Sequence, residues 1–219
     1  MTKVRYFKFR MRTVSTIEDI GYPGTWNNGA ISVLTFSKNE MVATFRIMRE
    51  IFTVQYLPDG SIIPGVASTM EQHQIRIFCR NSQLYIALID PPRGAKVISD
   101  FLTYISMGRE FFIESLEISR ELIEGHIIKF ESAKLISAKI KDFHIYDKAV
   151  ARLEVTSKEG LRSDIAPILE GKFHRTESLT YEVMHKFRKG LITYLANGTV
   201  RISALLVEYG LPSFEQQLK

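Results

Sequence analysis

A single cysteine among 219 residues excludes an internal disulfide framework and any metal site built from several thiolates. Cys79 lies in the run Ile75-Arg76-Ile77-Phe78-Cys79-Arg80, where strand alternation places it on one face with Ile75 and Ile77, as a small buried hydrophobe. The chain does not open with the basic, apolar and small-residue succession of a secretory signal. No apolar run approaches the roughly 18 to 20 residues that span a bilayer. The expected setting is a reducing cytoplasm, with no membrane attachment.

Catalytic signatures are equally scarce. The phosphate-cradling Gly-x-x-x-x-Gly-Lys-Ser/Thr loop, the Gly-x-Gly-x-x-Gly fingerprint and the Gly-x-Ser-x-Gly elbow are all missing. His73, His126, His144, His174 and His185 never pair at ligand spacing, so each reads as a surface or core histidine. The nearest approach to a metal-dependent nuclease is Asp164 with Glu170-Gly171-Lys172, an acid followed by a Glu-x-Lys. Gly171 fits a helix end better than a strand, which counts against that constellation. No catalytic residue, metal ligand or cofactor site is assigned.

Fourteen Phe and nine Tyr, with 45% hydrophobic residues, describe a folded chain suited to pleated, half-buried surfaces. Strand signals run over 30–36, 41–56, 75–78 and 84–89, with turns at Leu57–Ser61 and Arg80–Gln83. Val97, Ile98, Phe101, Leu102 and Ile105 recur at helical spacing after Asp90-Pro91-Pro92. Further strands are expected over 134–146, 149–156, 179–187 and 191–203, a short helix capped by Ser163 with Gly171 beyond its end, and another over 212–218. The fold class is therefore α+β, a predominantly antiparallel sheet with a few packed helices, and two similar lobes are one arrangement of it. A β-rich lobe over 1–108 and an α+β lobe over 109–219 is the working division. Residues 109–125 read as a helix, although Phe111-Phe112-Ile113 also permits a strand. Tyr56-Leu57-Pro58-Asp59-Gly60-Ser61-Ile62 echoes Tyr194-Leu195-Ala196-Asn197-Gly198-Thr199-Val200, by duplication or by the shared chemistry of tight hairpins.

The net charge of +5 is local. Lys3, Arg5, Lys8, Arg10 and Arg12 precede any acid, and the remaining 24 basic residues equal the 24 acidic ones. Lys8, Arg10 and Arg12 share one strand face at a spacing of about 7 Å, comparable with phosphates on a nucleic-acid strand. The competing account is an edge strand guarded by cations. A second cluster joins Lys172, Arg175, Lys186, Arg188 and Lys189 with Phe173, Tyr181 and Phe187, which could stack on unpaired bases. Glu114, Glu117, Glu121 and Glu124 would form an acidic stripe along a helix, either solvated or facing a basic partner surface. Trp26, in a Gly/Asn-rich loop, is a candidate aromatic anchor. These features point first to a non-catalytic binding or adaptor subunit engaging a protein partner or another copy of itself. Nucleic-acid binding through the two basic clusters is the alternative, ahead of a nuclease.

Overall fold

The computed structural model describes residues 1–20, 30–91, 96–146, 149–161 and 173–218. The first half contains β1 (Thr2–Met11), α1 (Ile17–Ile20), β2 (Ile31–Phe36), β3 (Glu40–Tyr56), β4 (Ile62–Arg80), β5 (Gln83–Ile89) and α2 (Lys96–Ser106). The second contains β6 (Phe111–Ser115), α3 (Arg120–Ile127), β7 (Ser132–Tyr146), β8 (Ala149–Thr156), β9 (Arg175–His185), β10 (Arg188–Leu195), β11 (Thr199–Ile202), a 3-10 turn (Ala204–Leu206) and α4 (Val207–Glu215). The eleven described strands form one sheet in the order β2-β3-β4-β5-β1-β11-β10-β9-β7-β8, and β6 also pairs with β1. Each of these pairings is antiparallel. The α+β class expected from the sequence holds. Since β6 returns to pair with β1, the sheet continues across residues 108–109.

β1 lies at the centre of this sheet. Val4 to Phe9 pair with β5 along one edge, while Thr2–Arg5 pair with β11 and Phe7–Met11 with β6 along the other. The account of its cations as edge protection therefore fails, because β1 has no open edge over most of its length. Its partner changes at Tyr6, whose N–H donates to the Gly198 carbonyl at 2.9 Å and whose carbonyl accepts from Leu116 N–H at 3.0 Å.

The alternation of β1 is unbroken, but the buried face switches. Val4 and Tyr6 are buried on the even face, then Phe7, Phe9 and Met11 are buried on the odd face. The sheet carries a hydrophobic core on each side. On the odd side of β1, Ile75, Ile77, Leu84, Ile86 and Leu88 pack with Ile17 and Ile20 of α1 and the apolar stripe of α2. On the even side, Phe78, Tyr85 and Ala87 join residues of β10, β11, α3 and α4. β5 is buried on both faces, which is why its sequence Leu-Tyr-Ile-Ala-Leu is apolar without alternation.

Two sequence expectations change. Residues 109–125 are not one helix: Phe111–Ser115 is a strand and the helix starts at Arg120, where the Ser119 hydroxyl accepts from Leu122 N–H at 3.2 Å. The stripe of four glutamates is thereby divided between β6, its connection and α3. The second change is that β4 extends from Ile62 to Arg80, through a stretch holding Pro64 and Gly65 in which no strand was expected. The short helix read between Ser163 and Gly171 lies outside the described residues.

Candidate interaction surface

The longest elements of the fold, β3 and β4, pair in register from Glu40↔Phe78 out to Tyr56↔Ile62. Their neighbours stop early. β2 reaches Ile31 opposite Phe45, and β5 reaches Ile89 opposite Gln74. From Ile47↔Glu71 outward no other described strand accompanies the two, which form an arm of ten rungs and roughly 30 Å at the usual strand rise. Pro64 is tolerated there because no described strand pairs with β4 on its outer side. The tip is well made: Asp59 Oδ1 accepts from Ser61 N–H at 2.9 Å and from its hydroxyl at 2.6 Å, and Gly60 takes φ 82°. Those bonds hold the Asp59 carboxyl below its ordinary range.

The register sorts the arm's side chains into unlike faces. One carries the pairs Met48/Met70, Phe52/Val66, Val54/Pro64 and Tyr56/Ile62, interrupted only by Glu50/Ser68. The other carries Arg49/Thr69, Ile51/Ala67, Thr53/Gly65 and Gln55/Ile63. On the apolar face Phe52 is 83% exposed, Tyr56 74% and Met48 68%. The two rings alone present on the order of 300 Å² of surface, already the size of the largest apolar patch on many monomers. A two-stranded hairpin is marginal in water on its own, and long apolar edges invite pairing. The arm is thus the surface with the strongest physical demand for a partner. The sequence reading passed over it, because 62–74 has the small and polar composition of a loop.

The cationic face of β1 looks different once its neighbours are in place. Lys8 stands opposite Glu114 on β6, and Arg12 approaches Glu110 at 3.7 Å. Lys8 also lines a cleft of about 400 Å³ with Glu117 and Glu121, and Glu124 pairs with Arg120 at 2.6 Å. Cations and glutamates that the sequence offered to separate partners therefore offset each other within one chain. Arg10 stays exposed opposite Phe112.

The second basic cluster is split between the ends of β9. Arg175 sits at the start, 3.8 Å from Asp142 and with its guanidinium 5.8 Å from the Phe173 ring centre. Lys186, Arg188 and Lys189 sit at the far end, roughly 33 Å away along the strand. There the β9–β10 turn places Lys186 at φ 47° and Phe187 at φ 61°, and Phe187 is 96% exposed. Lys189 pairs with Glu182 at 2.9 Å. Trp26, Lys172, Asp164 and Glu170 lie outside the described residues. Cys79 is half-buried against the first core, on the face with Ile75 and Ile77 as expected.

Two buried polar clusters serve the second core. Ser213 Oγ donates to the Gly210 carbonyl at 3.1 Å, so at 2.8 Å it must accept from His126 Nε2–H. His126 Nδ1 then accepts from the Tyr194 hydroxyl at 2.5 Å. This chain of neutral groups fixes the tautomer. Burial lowers the His126 pKa from 6.5 to about 4, so the folded state holds the imidazole uncharged. That contribution to stability is complete above pH 6.5 and is lost as the pH falls toward 4. Between pH 6.5 and pH 5 the loss should be about 2 kcal/mol, and His126→Gln should flatten this part of a pH series of urea midpoints. In the other cluster, Glu215 accepts from the Tyr6 hydroxyl at 3.0 Å and pairs with Arg76, which also reaches Glu40 at 2.7 Å. These groups bond each other, and the clefts of about 630 and 400 Å³ are lined by other residues.

Among the described residues no three His, Cys, Asp or Glu side chains are grouped to hold a metal ion. No described helix is long and apolar enough to cross a membrane. No protein-family model matches the chain, and no curated protein matches it either.

Proposed function

We propose that this protein is a non-catalytic binding subunit of a macromolecular assembly in the cytoplasm, and that the β3–β4 arm is its contact surface. One observation carries the reading: a ten-rung hairpin, paired along neither edge with another described strand, bears an exposed apolar face from Met48 to Tyr56 and from Ile62 to Met70. Hydrophobic burial of that face is the natural driving force for association. The lone cysteine fits a compartment where no disulfide is needed. Phe52→Glu combined with Val54→Lys should leave the folded core intact and abolish association with whatever covers the arm. Native mass measurements on wild type and variant, purified identically, check this. Identical assemblies from both would remove the arm from consideration.

A second reading rests on the β9–β10 tip, where Phe187 stands clear of the fold between Lys186, Arg188 and Lys189. Non-glycine residues at positive φ are costly, and such strain gathers at functional positions. An exposed ring among cations suits stacking on an unpaired base, worth about 1–3 kcal/mol per base. Fluorescence anisotropy with single-stranded RNA and DNA should then show binding that weakens about tenfold in Phe187→Ala. Replacing Lys8, Arg10 and Arg12 by Ala together should change little, given that Lys8 and Arg12 have acidic neighbours and Arg10 stands alone. Absence of binding even at low salt would end this reading.

A further inference from the structure

The chemistry of the arm also narrows what can cover it. Between Arg46 and Gln72 the charged residues are Arg46, Arg49, Glu50, Asp59 and Glu71, and Arg49 pairs with Glu71 at 3.0 Å. Such a near-neutral ribbon offers nothing to steer an anionic lipid surface or a nucleic acid toward it. Its apolar face is a twisted strip, so its occupant has to be another extended apolar surface. The arm itself is one, present at equal concentration.

Resting on the reading of the arm as a contact surface, we infer that its occupant is the arm of a second copy of this chain. The two apolar faces pack antiparallel about a twofold axis through the Phe52/Val66 rung. That register brings Met48/Met70 of one copy over Tyr56/Ile62 of the other, since both rungs lie four residues from the axis on β3. Thioether sulfurs then meet the edge of a tyrosine ring, a favourable contact. Phe52 meets Phe52, as an isologous interface requires of whatever lies on its axis. Glu50 stands on β3, whose outer edge no described strand covers along the arm, so its carboxylate reaches water without being buried.

The area is adequate. Seven apolar side chains on this face are each more than half exposed. At on the order of 100 Å² apiece, and more for the two rings, they give roughly 700 Å². A standard stable interface buries about 800 Å² per partner.

Sedimentation velocity from low to high micromolar concentration tests the inference. Wild type should sediment as a dimer with a melting temperature that rises with protein concentration, and Phe52→Glu with Val54→Lys as a monomer with the circular dichroism of wild type and a melting temperature independent of concentration. In a Cys79→Ser background, Phe52→Cys should oxidise to a disulfide-linked dimer in high yield, while Gln55→Cys, on the opposite face, should not. A wild type that stays monomeric throughout overturns the inference, as does a dimer that survives the double substitution. If wild type is monomeric yet loses a heterologous partner, or binding to neutral phospholipid vesicles, on the double substitution, only the identity of the occupant is refuted. If the double substitution alters no association at all, the arm is not a contact surface either.

Discussion

Gly198→Ala should destabilise the protein by about 3 kcal/mol or more, whereas Gly60→Ala should cost only about 1 kcal/mol. The two glycines occupy matching places in the echoed turns Leu57-Pro58-Asp59-Gly60 and Leu195-Ala196-Asn197-Gly198, with φ 82° and 80°. Backbone strain on gaining a Cβ is therefore the same in both. Their surroundings differ. A Cβ on Gly60 meets nothing within 4 Å, but one on Gly198 would stand 2.7 Å from the carbonyl oxygens of both Tyr6 and Leu116. Those oxygens belong to the backbone where β1 exchanges β11 for β6, so neither can rotate away. Urea unfolding of the two variants measures the difference, and equal costs would show that the junction yields easily.

The other large effect is expected at Arg76. Its guanidinium lies between Glu215, which is 2% exposed, and Glu40 at the rim. Arg76→Ala leaves Glu215 buried with only the Tyr6 hydroxyl, and losing one member of a buried pair costs about 3–5 kcal/mol. Burial already raises the Glu215 pKa above its ordinary value, and the pull of Arg76 opposes that rise. Without Arg76 the carboxyl is pushed higher still. A carboxyl whose folded pKa exceeds its unfolded pKa stabilises the fold at acid pH, and that stabilisation disappears as pH rises through the folded value. The penalty of Arg76→Ala should accordingly be smallest in acid and grow toward neutrality. Glu215→Gln keeps an acceptor for Tyr6 and leaves Arg76 with Glu40, so its cost should be near 1 kcal/mol. Thermal unfolding of both variants at acid and neutral pH gives the comparison. A penalty for Arg76→Ala that is flat with pH would mean that Glu215 keeps its charge without its partner.

Local pattern was enough to place most strands, the turns at Gly60 and Gly198 and the helix from Lys96, because turn chemistry and hydrophobic period are properties of short windows. The position of β1 was not visible that way. Phe7-Lys8-Phe9-Arg10 alternates as an edge strand would, and only pairing with residues 84–89, 111–115 and 199–202 makes it central. The parity change between Tyr6 and Phe7 records a strand that serves cores on opposite faces of one sheet. The distal half of β4 was missed for the opposite reason. Pro64, Gly65, Ala67 and Ser68 have weak strand preference, and β3 alone holds them extended. Charge was the least legible feature, since Lys8 and Glu114 are far apart in sequence and opposite each other in space.

The placement of β1 also governs the order in which this protein can assemble. Its first four residues pair with residues 199–202, so one strand closes a loop of nearly the whole chain. Loop closure costs only about 0.6 kcal/mol for each doubling of length, but it has to be met before any contact rewards it. Neither core is complete without β1, which contributes Phe7, Phe9 and Met11 to one and Val4 and Tyr6 to the other. Folding is consequently non-local and belongs in the slow range for its size. Until β11 arrives, the apolar residues of the earliest strand stand against half a sheet, with hydrogen-bonding groups still bare along one side.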